Sequence, residues 1–377
     1  MRDYDVIIMG AGPAGSTLAR HLVERGFRVC ILEKKKIIGV PLQCAGLVSH
    51  RIREVNMLPD EVIINSVRGA FLHSPSGVTL KVSKDRPEAH VIDRTAYDQY
   101  LADLAREAGA EIKLKTHVRG FKEKTGTVYV NGQEFSAGVI VDARGSRAAR
   151  GKYHALQCLV RFNDHEMDTD FVNLKVDSRL SPGFIWRIPL DERTARVGLF
   201  GPLRDAGDIL RDFLSGISSD FQVLERYHGF IPLHDNKMET LRDRLLVIGD
   251  AAGQVKPTTG GGIVLSSRAA LAAAEAIQMA LEDDIKLLET YRDGCRRIYS
   301  EEIKNQLRVQ KTFAMLSDDD LDHIFRKMKE YGAEDIISRY GDMDIQTPLI
   351  KEFIRRGLLF RIIPSFLLKR VAGIWKY

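Results

Sequence analysis

A glycine-rich turn near the start of the chain constrains the fold more than any other feature. The short apolar segment 6–9 is followed by Gly10-Ala-Gly12-Pro13-Ala14-Gly15, and residues 16–25 then carry helical spacing. A second apolar segment, 28–32, ends at Glu33. A strand, a glycine turn, a helix and a strand within about thirty residues predict one right-handed βαβ unit.

Each glycine of this turn has its own physical role. Gly10 permits the tight turn, Gly12 lets the backbone approach a pyrophosphate, and Gly15 lets the helix pack closely on the strand. Pro13 and Ala14 open a helix whose free N–H groups and positive dipole end attract phosphates. Glu33 lies near the offset expected for an acid that hydrogen-bonds a ribose hydroxyl. In this context a bound dinucleotide is favoured over a glycine turn without a ligand.

A second strand–glycine–helix passage, at residues 245–279, indicates which dinucleotide binds. Its strand ends at Gly249-Asp250, and Gly260-Gly261-Gly262-Ile263 leads into an alanine-rich helix. Asp250 at a strand end can accept a hydrogen bond from a ribityl hydroxyl, a group that nicotinamide cofactors lack. Amides at the helix N-terminus can hold the electron-rich edge of a reduced flavin. The structural alternative is a turn with an aspartate cap. Together with the first motif, the passage predicts FAD.

Composition excludes several other classes of protein. The chain of 377 residues is 44% hydrophobic and 28% charged, which is typical of a globular protein of two domains. Its net charge of +5 is too small and too dispersed to indicate nucleic-acid binding. The four cysteines lie far apart and the histidines lack ligand spacing, so neither a disulfide framework nor a metal site is expected. Without a signal-like or membrane-spanning apolar run, the default location is the reducing cytoplasm.

The order of elements predicts an α/β protein, with a Rossmann-type FAD-binding domain, an inserted antiparallel β-sheet substrate domain and a helical C-terminus. We expect the FAD-binding domain at residues 1–60, 91–150 and 236–290, the sheet domain at 61–90 and 151–235, and the helical region at 291–377.

Local patterns within this frame predict individual elements. They comprise a hairpin at 67–83, a helix at 94–108 capped by Asp93, strands at 111–118, 127–135 and 139–141 with a turn at Asn131-Gly132, and a helix near 205–215.

The chain resembles a known class of flavoproteins, that of p-hydroxybenzoate hydroxylase. The glycine motif with Glu33, Arg94 in the stretch 93–98, and Gly249-Asp250-Ala-Ala-Gly253 carry this resemblance. Within the class, three stretches resemble the geranylgeranyl reductase family. They are Pro41-Leu-Gln-Cys44-Ala-Gly46, Phe184-Ile-Trp186-Arg-Ile-Pro189 and Pro257-Thr-Thr-Gly-Gly-Gly-Ile263.

The resemblance implies FAD contacts at the two glycine turns, at Glu33 and Arg94, and at Lys34, Cys44, Ala45 and Val118. It also implies a prenyl chain lined by Phe184, Trp186, Pro189 and Pro257. Two features depart from the class pattern. The middle strand is followed by Asp142-Ala-Arg-Gly145 instead of Asp-Gly, and Phe184 and Ile188 replace the family's more frequent Tyr and Phe.

Several of these residues have two interpretations. Cys44 either lines the reaction site, where it is a candidate catalytic proton donor, or is a small buried hydrophobe. The alternating Phe184, Trp186 and Pro189 either wall a prenyl channel or form an ordinary inner sheet face. The run Lys34-Lys-Lys36 is most often a solvated surface.

The last 27 residues carry seven Lys or Arg against one acid, interleaved with apolar residues such as Leu358, Leu359, Ile362, Ile363, Phe366, Leu367, Val371 and Trp375. One interpretation is an interfacial helix pair on an anionic lipid surface, which would place the protein peripherally at the inner face of the membrane. The other is a terminal helix docked on the core.

The resemblance implies an FAD-dependent reductase that saturates C=C bonds of isoprenoid chains, with a prenyl lipid as substrate. It needs an external reductant, which is NADPH, ferredoxin or another carrier. The alternatives are a flavin monooxygenase or halogenase, an electron-transfer flavoprotein, and a non-catalytic carrier. Trp186-x-Ile188-Pro189 resembles the halogenase motif W-x-W-x-I-P, but Phe184 stands at the first tryptophan.

Overall fold

The structure is a computed structural model that describes residues 2–42, 44–149, 151–202, 205–234, 238–364 and 367–375, the side chains of 368–370 and 372 excepted. Its strands are β1 (Tyr4–Met9), β2 (Val29–Leu32), β3 (Leu47–Ser49), β4 (Ile63–Val67), β5 (Gly69–His73), β6 (Thr79–Ser83), β7 (Ala89–Ile92), β8 (Glu111–Lys113), β9 (Val118–Lys122), β10 (Thr127–Val130), β11 (Gln133–Asp142), β12 (Lys152–Phe162), β13 (Phe171–Lys175), β14 (Ile185–Pro189), β15 (Thr194–Gly201), β16 (Phe221–Pro232), β17 (Leu241–Arg242) and β18 (Leu245–Val247). Its helices are α1 (Pro13–Val23), α2 (Arg94–Ala108), α3 (Ala206–Ser215), α4 (Ile263–Glu282), α5 (Thr290–Phe313), α6 (Asp318–Glu330), α7 (Ala333–Tyr340), α8 (Thr347–Arg355), α9 (Leu358–Ile362) and α10 (Leu368–Trp375).

A parallel sheet in the order β17–β18–β11–β1–β2–β8 forms the centre, with β17 antiparallel at one edge. Alternate residues of each strand enter different cores. Val6 and Ile8 face α1 and α4, whereas Ile7 and Met9 face the β9–β10 hairpin. Because β1 lies between β2 and β11, a crevice opens at the carboxyl ends of these strands.

A second sheet, in the order β16–β12–β15–β14–β13–β5–β6, is antiparallel except where β13 meets β5. A small antiparallel sheet, β3–β7–β4, joins the two. The α/β fold class with an antiparallel sheet and a helical C-terminus is therefore confirmed. The residue boundaries of the predicted domains stay a prediction.

Several local predictions are confirmed. β5 and β6 form the hairpin, and α2 covers the predicted helix with Asp93 Oδ1 accepting hydrogen bonds from the amides of Thr95 and Ala96. The turn at Asn131-Gly132 has positive φ at both residues, as a tight hairpin requires. The helix near 205–215 is α3.

One strand prediction was wrong, and a second predicted strand, which is confirmed, is part of a longer one. The expected strand 111–118 is divided, because the chain turns between β8 and β9 with Lys115 at φ 54°. The amide of Thr116 donates to the carbonyl of Glu33 across this turn. Residues 139–141 are the end of β11, which leaves the hairpin with β10 and enters the parallel sheet.

The C-terminal helices pack on the rest of the molecule. Leu358, Ile362, Ile363, Leu367 and Val371 are buried in one cluster with residues of α6 and α7. Trp375 Nε1 lies 3.3 Å from Thr312 Oγ1 on α5. These buried side chains of the tail therefore dock on the core, as the second interpretation predicts. Phe366 and the side chains of Lys369 and Arg370 lie outside the described residues. Within the described ranges, α4 has the length and composition of a membrane span, but most of that helix is buried inside the protein.

Candidate active site

One cavity of about 1190 Å³ runs along the carboxyl edge of the parallel sheet and continues against the second sheet. Ligand pockets usually enclose about 300–1,000 Å³, so this space is sufficient for more than one small ligand. It joins the ends of β1, β2, β11 and β18 to the inner face of β14 and the region of α7 and α8. The two predicted halves of the site, for cofactor and for substrate, thus share one cavity.

The glycine turn after β1 borders this cavity. A Cβ at Gly10 would lie 2.5 Å from the carbonyl oxygen of Ala143, and one at Gly15 would lie 2.2 Å from the carbonyl of Gly10. A Cβ at Gly12 would meet no atom within 4 Å. Helix α1 begins at Pro13 without a side-chain cap. Gly10 and Gly15 are therefore required by packing, whereas Gly12 leaves its backbone accessible to a ligand.

Glu33 at the end of β2 fixes the loops around the turn. Its Oε2 accepts a 2.9 Å hydrogen bond from the amide of Ala11, and its Oε1 accepts a 2.8 Å bond from the amide of Lys35. The side chain lines the cavity beside Lys34. The Glu33 carboxylate thus stabilises the conformation of both loops. Each of its oxygens has a second lone pair that can accept a hydrogen bond from a ligand hydroxyl.

Arg94, Asp98 and Asp250 form a charged cluster at the cavity. Arg94 Nη2 lies 2.9 Å from Asp98 Oδ1, and both side chains are nearly buried. Burial raises the pKa of Asp250 to about 6, with Arg94 opposing the shift and Asp98 adding to it. The N-cap residue of α4 is Gly262 and no side chain caps this helix, so the expected alternative of an aspartate cap does not describe Asp250.

The second glycine turn, at 256–262, lies between two charged side chains. A Cβ at Gly262 would lie 2.9 Å from Asp250 Oδ1, and one at Gly261 would lie 2.8 Å from Lys256 Cε. Nearby, Thr259 Oγ1 and Asp344 Oδ2 are buried without a hydrogen-bond partner among the described residues. Since buried polar atoms are normally paired, this corner fits a ligand with a polar edge. The uncapped helix ends offer N–H donors and the carboxylates offer acceptors, and both kinds of partner fit the polar groups of a flavin dinucleotide.

The substrate side of the cavity is apolar, with one polar link. Trp186 and Ile188 of β14, and Phe184 just before this strand, line the cavity. Gln157 on β12 accepts a 3.0 Å hydrogen bond from Trp186 Nε1 and donates a 3.3 Å bond to the carbonyl of Cys44. Cys44 itself is half-buried and its Sγ accepts from the amide of Gly46 at 3.3 Å. The arrangement provides a wall for an apolar chain beside a thiol.

Most of the predicted site residues are brought together by the fold. The cavity is lined by Gly10, Gly12, Pro13, Ala14, Glu33, Lys34, Cys44, Ala45, Arg94, Val118, Phe184, Trp186, Gly249, Asp250, Gly260, Gly261, Gly262 and Ile263. Gly15 is buried beneath the turn, as its packing role requires.

The expected substrate contacts of Pro189 and Pro257 stay predictions. In the described part of the chain, Pro189 and Pro257 lie outside the cavity lining. Side chains alternate along β14, so Pro189 faces away from the wall formed by Trp186 and Ile188. The carbonyl of Pro257 instead accepts a 2.6 Å hydrogen bond from Gln310 Nε2.

Other lining residues were missed by the sequence interpretation. They include Lys35, Asp98, Ala143, Arg144, Gly145, Gln157, Tyr227, His228, Lys256, Thr259, Asp342 and Asp344. A signal was available for the stretch 143–145, because it follows a strand that ends at the same sheet edge as Gly10. Asp342 and Asp344 gave none, since they reach the cavity only through the packing of α7 and α8.

Comparisons with known proteins agree with this geometry. An FAD binding domain family matches residues 3–205. The chain is 30% identical to digeranylgeranylglycerophospholipid reductase 1 of Methanococcoides burtonii, over 100% of both chains. It is 31% identical to the digeranylgeranylglycerophospholipid reductase of Methanocaldococcus jannaschii, over 87% of this chain and 91% of that one.

Solved structures show the same fold. A geranylgeranyl bacteriochlorophyll reductase-like protein of Thermoplasma acidophilum superimposes with a TM-score of 0.83 at 24% identity, covering 98% of this chain and 99% of that one. A flavin-dependent brominase does so with a TM-score of 0.70 at 18% identity, covering 94% of this chain and 99% of the other. The chain therefore belongs to the family of FAD-binding proteins that includes the digeranylgeranylglycerophospholipid reductases.

Proposed function

We propose that this protein is an FAD-dependent reductase that saturates C=C bonds in the geranylgeranyl chains of membrane lipids. The observation that carries the proposal is the single cavity that joins the two glycine turns to the apolar wall of β14. A cofactor held at the turns and a prenyl chain held along the wall would meet inside one cavity. The names of the relatives that match nearly the whole chain support the same substrate class.

Reduced FAD, when bound, supplies the hydride that one alkene carbon receives. An isolated alkene has no carbonyl for the protein to polarise, so the protein contributes by positioning the chain and excluding water. Trp186, held by Gln157, and Phe184 and Ile188 beside it present a rigid apolar surface for this purpose.

The other alkene carbon needs a proton. Cys44 is our candidate donor, because among the four cysteines its thiol is the one that is not buried and it lies in the cavity lining. A water molecule held near the thiol is the competing source. Either source leaves the balance of the reaction unchanged, since the alkene gains one hydride and one proton and the external reductant supplies two electrons.

The activity is tested by the mass of the product. Chemically reduced, FAD-loaded protein is incubated anaerobically with a geranylgeranylated glycerophospholipid. The mass of the lipid product is then measured by mass spectrometry. We expect mass gains in steps of two hydrogens. An unchanged lipid, together with rapid flavin reoxidation by oxygen and modification of an aromatic additive, would favour the monooxygenase or halogenase alternative instead.

We also propose that the surface of α8 and α9 docks on an anionic bilayer. The side chains of Ile354 and Phe360 are 46% and 67% exposed there. Exposed basic residues, Lys351, Arg355, Arg356 and Arg361, surround them and outnumber the neighbouring carboxylates of Glu301 and Glu352. Apolar side chains within a basic rim are the pattern of interfacial lipid binding.

Sedimentation with vesicles tests this docking. We expect binding to vesicles that contain anionic lipid, reduced binding to zwitterionic vesicles, and a clear loss for Phe360→Ser. Met57→Ser serves as the matched control, because Met57 is 54% exposed but lies outside α8 and α9. Equal binding of the wild type and Phe360→Ser would exclude this surface.

A further inference from the structure

A buried ion pair beside the second glycine turn has no role in the reaction described above. Lys256 Nζ lies 2.6 Å from Asp344 Oδ1, and the two side chains are 7% and 11% exposed. The ammonium group also donates a 3.0 Å hydrogen bond to the carbonyl of Met343. Removing two charges from water is costly, and an apolar pair of the same volume is often no less stable. Stability alone is therefore a weak explanation for this pair.

The pair is placed directly against the turn. The amide of Lys256 donates to the carbonyl of Gly261 at 3.0 Å, and the amide of Gly260 donates to the carbonyl of Lys256 at 2.8 Å. The side chain then folds back over the turn, since a Cβ at Gly261 would lie 3.2 Å from Nζ. Lys256, Gly261 and Asp344 all line the cavity. The ammonium group of Lys256 is therefore held at the cavity, between the glycine turn and the carboxylate of Asp344.

Other contacts hold this arrangement in place. Gln306 Nε2 donates to the carbonyl of Asp344 at 3.1 Å, and Thr258 Oγ1 donates to Gln306 Oε1 at 3.2 Å. Arg51 Nη2 lies 2.8 Å from Asp342 Oδ2, and this ion pair fixes the loop that carries Asp342 and Asp344 to the short helix His50–Glu54. A charge that is fixed in a site of low dielectric acts strongly on a neighbouring group that changes its charge.

We propose that the Lys256–Asp344 pair sets the reduction potential of the bound FAD, with Lys256 favouring the reduced form. The reduced ring carries more negative charge than the oxidised ring, so a cation fixed at the turn stabilises the reduced state preferentially. Asp344 moderates this effect by neutralising part of the charge. The inference deepens the proposed site and rests on FAD being held at the 260–262 turn, but it does not depend on the identity of the lipid.

The test is a spectroelectrochemical titration of the FAD-loaded protein without any lipid. We expect Lys256→Met to weaken binding of the reduced flavin relative to the oxidised flavin about tenfold, which for a two-electron couple lowers the midpoint potential by about 30 mV. Asp344→Asn should shift the potential in the opposite direction, because Lys256 then lacks its counter-charge. The double variant Lys256→Met/Asp344→Asn should remain below the wild type.

Arg51→Met is the matched control, because it releases the same loop and leaves Lys256 in place. We expect its potential to stay within about a third of the shift that Lys256→Met produces. If Lys256→Met does not fold or retain FAD, the upward shift in Asp344→Asn alone decides the question. Potentials for Lys256→Met and Asp344→Asn equal to the wild type, or moved equally by Arg51→Met, would overturn the proposal. Because no lipid is present, this outcome is independent of whether the protein reduces prenyl chains.

Discussion

The indole N–H of Trp186 donates a 3.0 Å hydrogen bond to the side-chain oxygen of Gln157, and the amide nitrogen of the same Gln157 donates to the carbonyl of Cys44. An indole N–H can only donate and a backbone carbonyl can only accept, so the orientation of the Gln157 amide is determined. This buried amide thus connects the apolar wall to the loop that carries the thiol.

Substitution of Gln157 should separate these two connections. Gln157→Leu leaves both partners unpaired, at a cost of about 1–3 kcal/mol, and should increase the reaction rate of the Cys44 thiol with a disulfide reagent about tenfold. Gln157→Glu keeps the acceptor for Trp186 but loses the donor to Cys44. We expect faster thiol reaction in both variants, but altered Trp186 fluorescence in Gln157→Leu alone.

Two control variants assign the fluorescence and thiol signals to Trp186 and Cys44. The chain has two tryptophans, so Trp375→Phe leaves Trp186 as the single reporter. Three of the four cysteines are buried, and Cys44→Ala should abolish the fast thiol phase. Unchanged thiol reactivity in Gln157→Leu would show that the amide does not hold the Cys44 loop.

Gly12 and Gly15 of the first glycine turn should respond differently to alanine. At Gly12, where φ is −76° and a Cβ meets no atom within 4 Å, alanine should leave the unfolding free energy of the apoprotein within about 0.5 kcal/mol and weaken FAD binding at least tenfold. At Gly15, alanine should destabilise the apoprotein by about 2 kcal/mol or more, because its Cβ would overlap the carbonyl of Gly10. Calorimetry and FAD titration measure both effects. Tight FAD binding by stable Gly12→Ala would contradict the assignment of the turn.

Asp250 should make the apoprotein less stable at neutral pH. Its pKa is raised to about 6 by burial, from 3.8, so the folded state binds this proton more tightly than the unfolded state does. Below about pH 3 both states are protonated and no cost arises. As the pH rises from about 4 to about 6 the unfolded state releases its proton first, and this difference of about two between the pKa values lowers the stability by about 3 kcal/mol. Asp250→Asn should therefore be more stable than the wild type above about pH 6 and equal to it below about pH 3.

The same Asp250→Asn variant should bind FAD more weakly, because an amide accepts a ribityl hydroxyl bond less well than a carboxylate. Thermal denaturation across the pH range and FAD titration would show the two opposite effects. If Asp250→Asn is less stable than the wild type at pH 7.5, then ionisation of the buried Asp250 carboxyl does not destabilise the folded protein.

Arg94 and Asp98 provide a test that separates folding from binding. Arg94→Met leaves the nearly buried carboxylate of Asp98 unpaired and should cost about 3 kcal/mol of stability. In Arg94→Met/Asp98→Asn the unpaired charge is gone, so we expect much of this stability to return. FAD affinity should stay low in the double variant if Arg94 contacts the cofactor. Full recovery of FAD binding would mean that Arg94 acts through stability alone.

The parts of the fold that depend on local chemistry were predictable from the sequence. The glycine turn after β1, the Asp93 cap of α2 and the Asn131-Gly132 turn each depend on residue types within a few positions. The division between β8 and β9 was not, because Lys115 adopts a left-handed conformation that its residue type does not favour. The turn is stabilised by the distant contact between Thr116 and Glu33.

The cofactor half of the site followed from motifs, whereas the other half needed tertiary structure. Glu33 and Asp250 could be placed because each ends a parallel strand at one sheet edge. Gln157 and Asp344 could not, since each reaches the cavity through the packing of one layer on another. Pro189 belongs to the same motif as Trp186, but the alternation of side chains along β14 turns it away from Trp186 and Ile188.

The most direct test of the proposed function is the anaerobic reoxidation of the reduced, FAD-loaded protein by lipid. The protein is mixed with a geranylgeranylated glycerophospholipid or, as the control, with its fully saturated counterpart, and the visible absorbance of oxidised flavin is followed. We predict that the absorbance returns with the unsaturated lipid in proportion to the double bonds lost, and that the saturated lipid has no effect. Flavin that stays reduced with both lipids, but is reoxidised at once by oxygen, would contradict the assignment of this protein as a prenyl reductase.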